Sequence, residues 1–318
     1  MKSETKKITL QLFGLPLIES LDDFSRVSRL SKKFLYLNSR GSDSSYITYS
    51  IRKKNGKLRE ISQPTRKLKA IQSWILKNIL ERLEVSSASK GFKKGDSIMS
   101  NALPHLSANV VFSLDLEDFF PSIRGNKVYA VFRTLGYNKH VSALLTSFCT
   151  FNNKLPQGGP CSPYLANLIC LQLDNRIQGY VGKRGIVYTR YADDLTFSAS
   201  GAQKLLKTVK TLEKIIESEG FKLNTDKTRI KGPCQRRVVT GLVVTEDSIG
   251  IGKNKYRFLR SKFFNLIRDN KESEANIIEG WLAFVKSVDK KRYFKLLGDI
   301  KKFQKKFGNF LLNFNYNQ

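Results

Sequence analysis

Tyr191-Ala192-Asp193-Asp194 sets two carboxylates side by side between two β-rich runs, Ile186-Val187-Tyr188-Thr189-Arg190 and Leu195-Thr196-Phe197-Ser198. In a hairpin that pair lies at the tight turn, open to whatever fills the neighbouring cleft. Adjacent carboxylates repel each other, so a fold that holds them rigidly binds cations there. A third acid, Asp115, ends the apolar run Val110-Val111-Phe112-Ser113-Leu114. Brought onto one sheet, three carboxylates can hold two Mg²⁺ ions about 3.5 to 4 Å apart. Such a pair activates an attacking hydroxyl and neutralises a phosphoryl-transfer transition state. Glu117 and Asp118, taken alone, read as first-turn helix acids ahead of Pro121-Ser122.

This acidic spot stands in a chain of 318 residues carrying 56 Lys+Arg against 27 Asp+Glu, a formal charge of +29. Such an excess implies a polyanionic partner, because clustered cations gain affinity by releasing counterions from a phosphate backbone. The 4 cysteines show no C-x-x-C spacing and there are only 2 histidines, which argues against a zinc site or a disulfide framework. Metal binding must then use carboxylates, which suit hard ions such as Mg²⁺. No run approaches the roughly 18 apolar residues of a membrane-spanning helix, and no membrane partner is expected. The charged start, Met1-Lys2-Ser3-Glu4-Thr5-Lys6-Lys7, leads into no signal-peptide core, so a cytoplasmic location is expected.

The elements around these acids follow from periodicity. Residues 1–40 read as one or two short helices. Alternation over 46–61 with Asn55-Gly56 between its halves predicts a hairpin, with Arg52, Lys53, Lys54, Lys57 and Arg59 around its tip. Helical spacing predicts helices over 68–83, 98–105, 127–135 and 140–151. Leu155-Pro156-Gln157-Gly158-Gly159-Pro160 is a loop, and Ser162-Pro163 opens a long helix over 162–178 as cap and first helical residue. A helix over 203–219 and a short β unit at 238–244 follow. Three Lys-, Arg- and Phe-rich helices are then expected over 255–268, 274–288 and 291–307, with a frayed Asn-rich tail at 313–318.

The order and spacing of three boxes make the chain resemble a reverse transcriptase. Tyr191-Ala192-Asp193-Asp194 matches that family's catalytic box, residues 112–120 its first-aspartate strand, and Leu155-Pro156-Gln157-Gly158 its nucleotide-pocket loop. More specifically it is similar to the bacterial retron reverse transcriptases, through Asn101-Ala102-Leu103-Pro104-His105 and Val239-Thr240-Gly241. The resemblance implies an α+β fold, a right-hand polymerase: fingers at 1–108 and 123–158, palm (antiparallel sheet plus helices) at 109–122 and 159–245, and a helical thumb at 246–318.

It also implies residue roles. Asp115, Asp193 and Asp194, with the Leu116 carbonyl, become ligands of two Mg²⁺ ions, and Lys227 the acid that protonates departing pyrophosphate. Lys53 or Lys54, with Arg59, clamps the triphosphate; Phe120 takes the steric-gate position against a ribose 2′-OH, and Gln157 and Tyr191 line the nucleotide site. Asn101, Ala102, His105, Val239, Thr240 and Gly241, with thumb lysines Lys301, Lys302, Lys305 and Lys306, are expected to face RNA or primer, although Asn101 also reads as a turn residue and His105 as a structural histidine. The implied partners are dNTPs, an RNA–DNA duplex product, a structured non-coding RNA that is both template and primer, and a separately encoded effector protein in phage defence. Synthesis starts at a guanosine 2′-OH and yields RNA-linked single-stranded DNA. The competing readings are an intron-associated or diversity-generating reverse transcriptase, and a polymerase-shaped RNA-binding scaffold without turnover.

Overall fold

The computed structural model describes residues 8, 10–39, 45–52, 56, 58–224, 229–232 and 235–308. After helical residues at 8 and 10–12 come two short helices, α1 (Leu21–Ser28) and α2 (Lys32–Ser39). The Ser20 hydroxyl accepts from the Asp23 N–H at 3.1 Å and so caps α1. The cationic hairpin is present as β1 (Tyr46–Arg52) and β2 (Leu58–Pro64), in register from Tyr46 opposite Pro64 to Arg52 opposite Leu58. Its tip residues Lys53, Lys54, Asn55 and Lys57 lie outside the described residues. Helix α3 (Arg66–Asn78) buries Leu68, Ile71, Gln72 and Ile75 on one face. It tightens into a 3₁₀ turn at Leu80–Arg82, short of the helix that spacing predicts to residue 83. The tightening lets Ile79, Leu80 and Leu83 all reach the core.

Next come α4 (Ile98–Ala102), started by a reciprocal Ser97/Ser100 capping box, and β3 (Val110–Asp115). One turn of helix, α5 (Phe119–Ser122), leads to α6 (Gly125–Thr134) and α7 (Lys139–Cys149). Asp118 sits at the N-cap position of α5, yet its side chain makes no capping bond there. Where spacing predicts one helix over 162–178 there are two, α8 (Ser162–Ile169) and α9 (Leu171–Gly182), and Cys161 rather than Ser162 is the N-cap. The break at Cys170 keeps Leu165, Leu173 and Ile177 all in the core, where a straight rod would carry its apolar stripe off the sheet. Strands β4 (Val187–Tyr191) and β5 (Asp194–Ala199) follow, then α10 (Ala202–Leu206) and α11 (Val209–Ser218), again two helices for the predicted one.

With β6 (Arg229–Lys231), these strands form a four-stranded antiparallel sheet in the order β4-β5-β3-β6. Strand β3 is internal and apolar at four of its 6 positions, with side chains buried on both faces. Val110, Phe112 and Leu114 enter the larger core with α3 and α6–α9, while Val111 points into a second one. That second core belongs to a small meander, β7 (Val238–Val239), β8 (Leu242–Val244) and β9 (Ile249–Gly250), and to α12 (Gly252–Arg268), α13 (Ala275–Val288) and α14 (Lys290–Phe307). The predicted basic helices are therefore a packed bundle, with Leu259, Phe263, Leu282, Val285, Leu296 and Ile300 inside.

Asp289 caps α14 by accepting from the Arg292 N–H at 3.1 Å and also accepts from the Ile251 N–H at 3.0 Å, joining the bundle to the meander. Cys149, Cys161 and Cys170 are buried free thiols, and Cys234 lies outside the described residues. Among the described residues, no helix is long and apolar enough to cross a membrane.

Candidate active site

The sheet register brings the three aspartates to one edge. Asp115, the last residue of β3, lies opposite Asp194, the first of β5, and Asp194 also lies opposite Tyr191 at the end of β4. The turn is thus Ala192-Asp193, with Ala192 in the left-handed region at φ 58°, and Asp194 already belongs to the strand. Opposed residues of an antiparallel pair share a face about 4.5 to 5.5 Å apart, so the Asp115 and Asp194 carboxylates emerge side by side. The Leu116 N–H donates to the Asp193 carbonyl at 2.9 Å, and the Asn224 N–H to the Asp115 carbonyl at 2.8 Å. Backbone bonds therefore hold this edge from both sides.

Like charges in register oppose folding unless a cation sits between them, and an all-carboxylate donor set suits a hard divalent ion. Among the described residues, no group of three or more His, Cys, Asp or Glu side chains is already closed into a metal cage. Leu116 has a buried side chain, so its only possible metal donor is its carbonyl. Lys227 lies outside the described residues.

Directly behind the turn is a buried ionic network. Arg190 and Asp174 are both 0% exposed at the side chain and meet in a bidentate pair: Nε to Oδ1 at 2.8 Å and Nη2 to Oδ2 at 2.7 Å. The remaining Arg190 nitrogen donates to the Asn167 Oδ1 at 3.1 Å and to the Ala192 carbonyl at 3.2 Å. The Tyr188 hydroxyl donates to Asp174 at 2.8 Å. Burial works against the guanidinium charge, but the Cys170 sulfur and the Asp174 carboxylate outweigh it and raise the Arg190 pKa. Spacing alone overlooks this pair. Its signal is that Asp174 falls on the same helical stripe as Leu173, Ile177 and Val181, where an acid must have a buried partner.

The residues expected around a nucleotide are linked to one another. The Ser62 N–H of β2 donates to the Gln157 carbonyl at 2.8 Å, which fixes the 155–160 loop to the strand that carries exposed Arg59. Gly158, at φ 128°, has room for no side chain, since an added Cβ would lie 3.1 Å from the Ser62 carbonyl oxygen. Phe120 is half-buried, 5.3 Å from the Phe119 ring and 6.1 Å from the Phe92 ring. Phe92, which no motif singles out, also lies 6.3 Å from the Tyr191 ring.

The two boxes expected at RNA meet each other instead. Asn101, Ala102 and His105 are fully buried. The Asn101 amide donates to the Thr240 hydroxyl at 3.3 Å, and that hydroxyl donates to the Ile98 carbonyl at 3.4 Å. Thr240 (φ 44°) and Gly241 (φ 84°) form the two-residue turn between β7 and β8, a left-handed pair that a non-glycine residue tolerates only when held. His105 bridges β4 and β5, with Nδ1 at 2.7 Å from the Ser198 hydroxyl and Nε2 at 2.8 Å from the Thr189 hydroxyl. Of the six residues expected to face RNA or primer here, Gly241 is exposed, Thr240 half-buried, and Val239 buried with the other three. Burial gives Asn101 and His105 the role of holding the β7–β8 turn and the sheet, which matches their reading as a turn residue and a structural histidine.

Burial lowers the His105 pKa from the usual 6.5 to about 4. The unfolded chain therefore binds a proton that the folded one refuses between those values. Stability is complete above about pH 6.5 and is lost as pH falls toward 4, by roughly 3 kcal/mol at most. Denaturant unfolding from pH 7 to pH 4 should show this loss, and His105→Gln should flatten it; parallel pH profiles for the two proteins would exclude His105 as the source.

At the far end of the chain, Lys301, Lys302, Lys305 and Lys306 are all exposed on α14.

Residues 51–263 match the family model described as reverse transcriptase (RNA-dependent DNA polymerase). The chain is 47% identical over 317 residues to the retron Ec86 reverse transcriptase of Escherichia coli, covering 98% of this chain and 99% of that one. It is 35% identical over 280 residues to the retron Mx162 reverse transcriptase of Myxococcus xanthus (77% of this chain, 58% of that one). With the retron Ec73 reverse transcriptase of Escherichia coli it shares 33% identity over 269 residues (78% of this chain, 84% of that one). Three aspartates gathered at one end of the sheet, a loop tied to the strand that carries Arg59, and this likeness across nearly the full length converge: the chain belongs to the reverse transcriptase family, the RNA-dependent DNA polymerases, and to its retron type.

Proposed function

We propose that this reverse transcriptase copies a dedicated structured non-coding RNA into RNA-linked single-stranded DNA, starting from a guanosine 2′-OH of that RNA. The observation that carries the reading is Asp115 facing Asp194 across β3 and β5, with Asp193 on the adjoining turn, in a chain of net charge +29. Asp115, Asp193 and Asp194 would hold two Mg²⁺ ions, which supply activation of the attacking hydroxyl and neutralisation of the phosphoryl-transfer transition state. Arg59 on β2 binds the triphosphate, joined by Lys53 or Lys54, and Gln157 places the nucleotide against that strand. Phe120 fills the space a ribose 2′-OH needs. Lys227 donates the proton that leaves with pyrophosphate.

In this reading the β1–β2 hairpin with its helices is the fingers, the four-stranded sheet with α8–α11 the palm, and α12–α14 the thumb. Thumb and meander grip the RNA and the RNA–DNA duplex by shape and charge, since an A-form helix offers phosphates and 2′-hydroxyls rather than readable base edges. A role in phage defence with a separate effector protein, in the cytoplasm, follows from the retron type.

Incubating the protein with the structured RNA encoded beside it, Mg²⁺ and dNTPs tests the proposal. DNA that stays bonded to RNA through a 2′ linkage is expected; no DNA product, or DNA primed only from a free 3′ end, overturns it. Replacing Lys301, Lys302, Lys305 and Lys306 by Gln should weaken RNA binding and reduce the slope of log affinity against log salt by about one for each lysine that touches phosphate. An unchanged slope would remove α14 from the RNA interface.

A further inference from the structure

Phe92 stands out on three independent counts. It is a bulky aromatic held at φ 68°, a left-handed conformation that such residues rarely adopt. It is 39% exposed although its ring lies against two site aromatics, Phe120 at 6.1 Å and Tyr191 at 6.3 Å, with tilts of 48° and 40°. The backbone leading into it, residues 88–91, is pinned. The Arg190 N–H donates to the Ala88 carbonyl and the Lys90 N–H to the Arg190 carbonyl, both at 2.8 Å, and the Asn167 amide donates to the Gly91 carbonyl at 2.8 Å. Gly91 itself presses on Tyr191, where an added Cβ would meet ring carbons at 3.3 Å. Backbone strain held in place by surrounding bonds, beside reactive groups, is the pattern of a pre-organised site.

We infer that Phe92 is a positioning residue for nucleotide selection. Its ring spaces Phe120 from Tyr191 at the end of β4, just before the turn that bears Asp193, and so sets how closely the Phe120 ring approaches the sugar of the incoming nucleotide. Tilted aromatic contacts have a preferred separation, so the spacing is specified by the ring and not merely by bulk. With that wedge gone, Phe120 can swing into the vacated space and admit a 2′-hydroxyl. The inference rests on the reading of Phe120 as the sugar gate.

Single-nucleotide extension on a primed RNA template, comparing kcat/KM for dNTP and rNTP, tests it in Phe92→Gly, Phe92→Tyr and Phe120→Val. Glycine accepts φ 68° without strain, so Phe92→Gly should fold with an undiminished thermal midpoint while its dNTP-over-rNTP preference falls about tenfold. Phe92→Tyr, which retains the ring, should keep the wild-type ratio. A wild-type ratio in Phe92→Gly, with a lowered one in Phe120→Val, overturns the role of Phe92 and leaves the gate intact. Unchanged ratios in both overturn the gate reading itself. If Phe92→Gly does not fold, Phe92→Leu replaces it, and a wild-type ratio there overturns the inference while a lowered one supports it.

Discussion

Asp193→Asn combined with Asp194→Asn is expected to reduce DNA synthesis by about 1000-fold or more while RNA affinity stays within about twofold. The two carboxylates occupy the turn and first strand position at the edge where Asp115 ends β3. Asparagine keeps their shape and tolerates the turn, so the hairpin should survive. What is lost is the negative charge proposed to hold a divalent ion, and with it several kcal/mol of transition-state stabilisation. RNA binding is insensitive because the polyanion is attracted by the surrounding cations; removing two acids can only help it. Steady-state extension assays and filter binding on the same preparation separate the two outcomes. Synthesis at the wild-type rate would take the pair out of the chemistry.

The second large effect is expected at a residue that touches no substrate. Asp174→Leu leaves the Arg190 guanidinium, fully buried, without its bidentate partner. Breaking a buried pair on one side typically costs about 3–5 kcal/mol, because the remaining charge has neither water nor a counterion. In a chain of this size that is on the order of a 10 °C fall in thermal midpoint. Arg190→Met with Asp174→Leu removes both charges and should recover part of the loss, so the two single effects should not add. Additive losses, or a single-variant cost below about 1 kcal/mol, would show that the pair is not coupled. Arg190→Lys separates stability from activity. It keeps a charge beside Asp174 but forfeits the fork that also reaches the Ala192 carbonyl. The turn that carries Asp193 then loses its support from behind, and DNA synthesis should fall further than RNA binding.

These two cases differ in how far the linear chain announces them. Asp193 and Asp194 sit between alternating runs whose period reads directly as a hairpin, and Asp115 ends an apolar run that must be a covered strand. Each signal is local. Arg190 and Asp174 announce themselves only as charged residues at positions that periodicity makes buried, and nothing local says that they are buried against each other. Helix continuity fails for a similar reason. The stretch 162–178 has the spacing of one helix, but it breaks at Cys170 to keep its apolar side chains on a core that is itself assembled from distant segments.

Asn101 and His105 show the same limit from the opposite side. As a box they identify a type of reverse transcriptase, and polar residues in such a box suggest contact with RNA. In three dimensions His105 spans β4 and β5, and Asn101 reaches the Thr240 turn. Two sequence signatures far apart in the chain are one structural bracket.

By itself, then, the amino-acid sequence determined the family, the basic character, the order of strands and helices and which carboxylates to propose as catalytic, because each depends on residue type and short-range periodicity. Only the tertiary structure decided that Asp115 faces Asp194, that an ion pair supports the turn from behind, that Asn101 and His105 are buried, and that Phe92 packs beside both Phe120 and Tyr191. Those are long-range pairings, chosen by which surfaces bury one another, and burial is a property of the assembled core that no local stretch of chain carries.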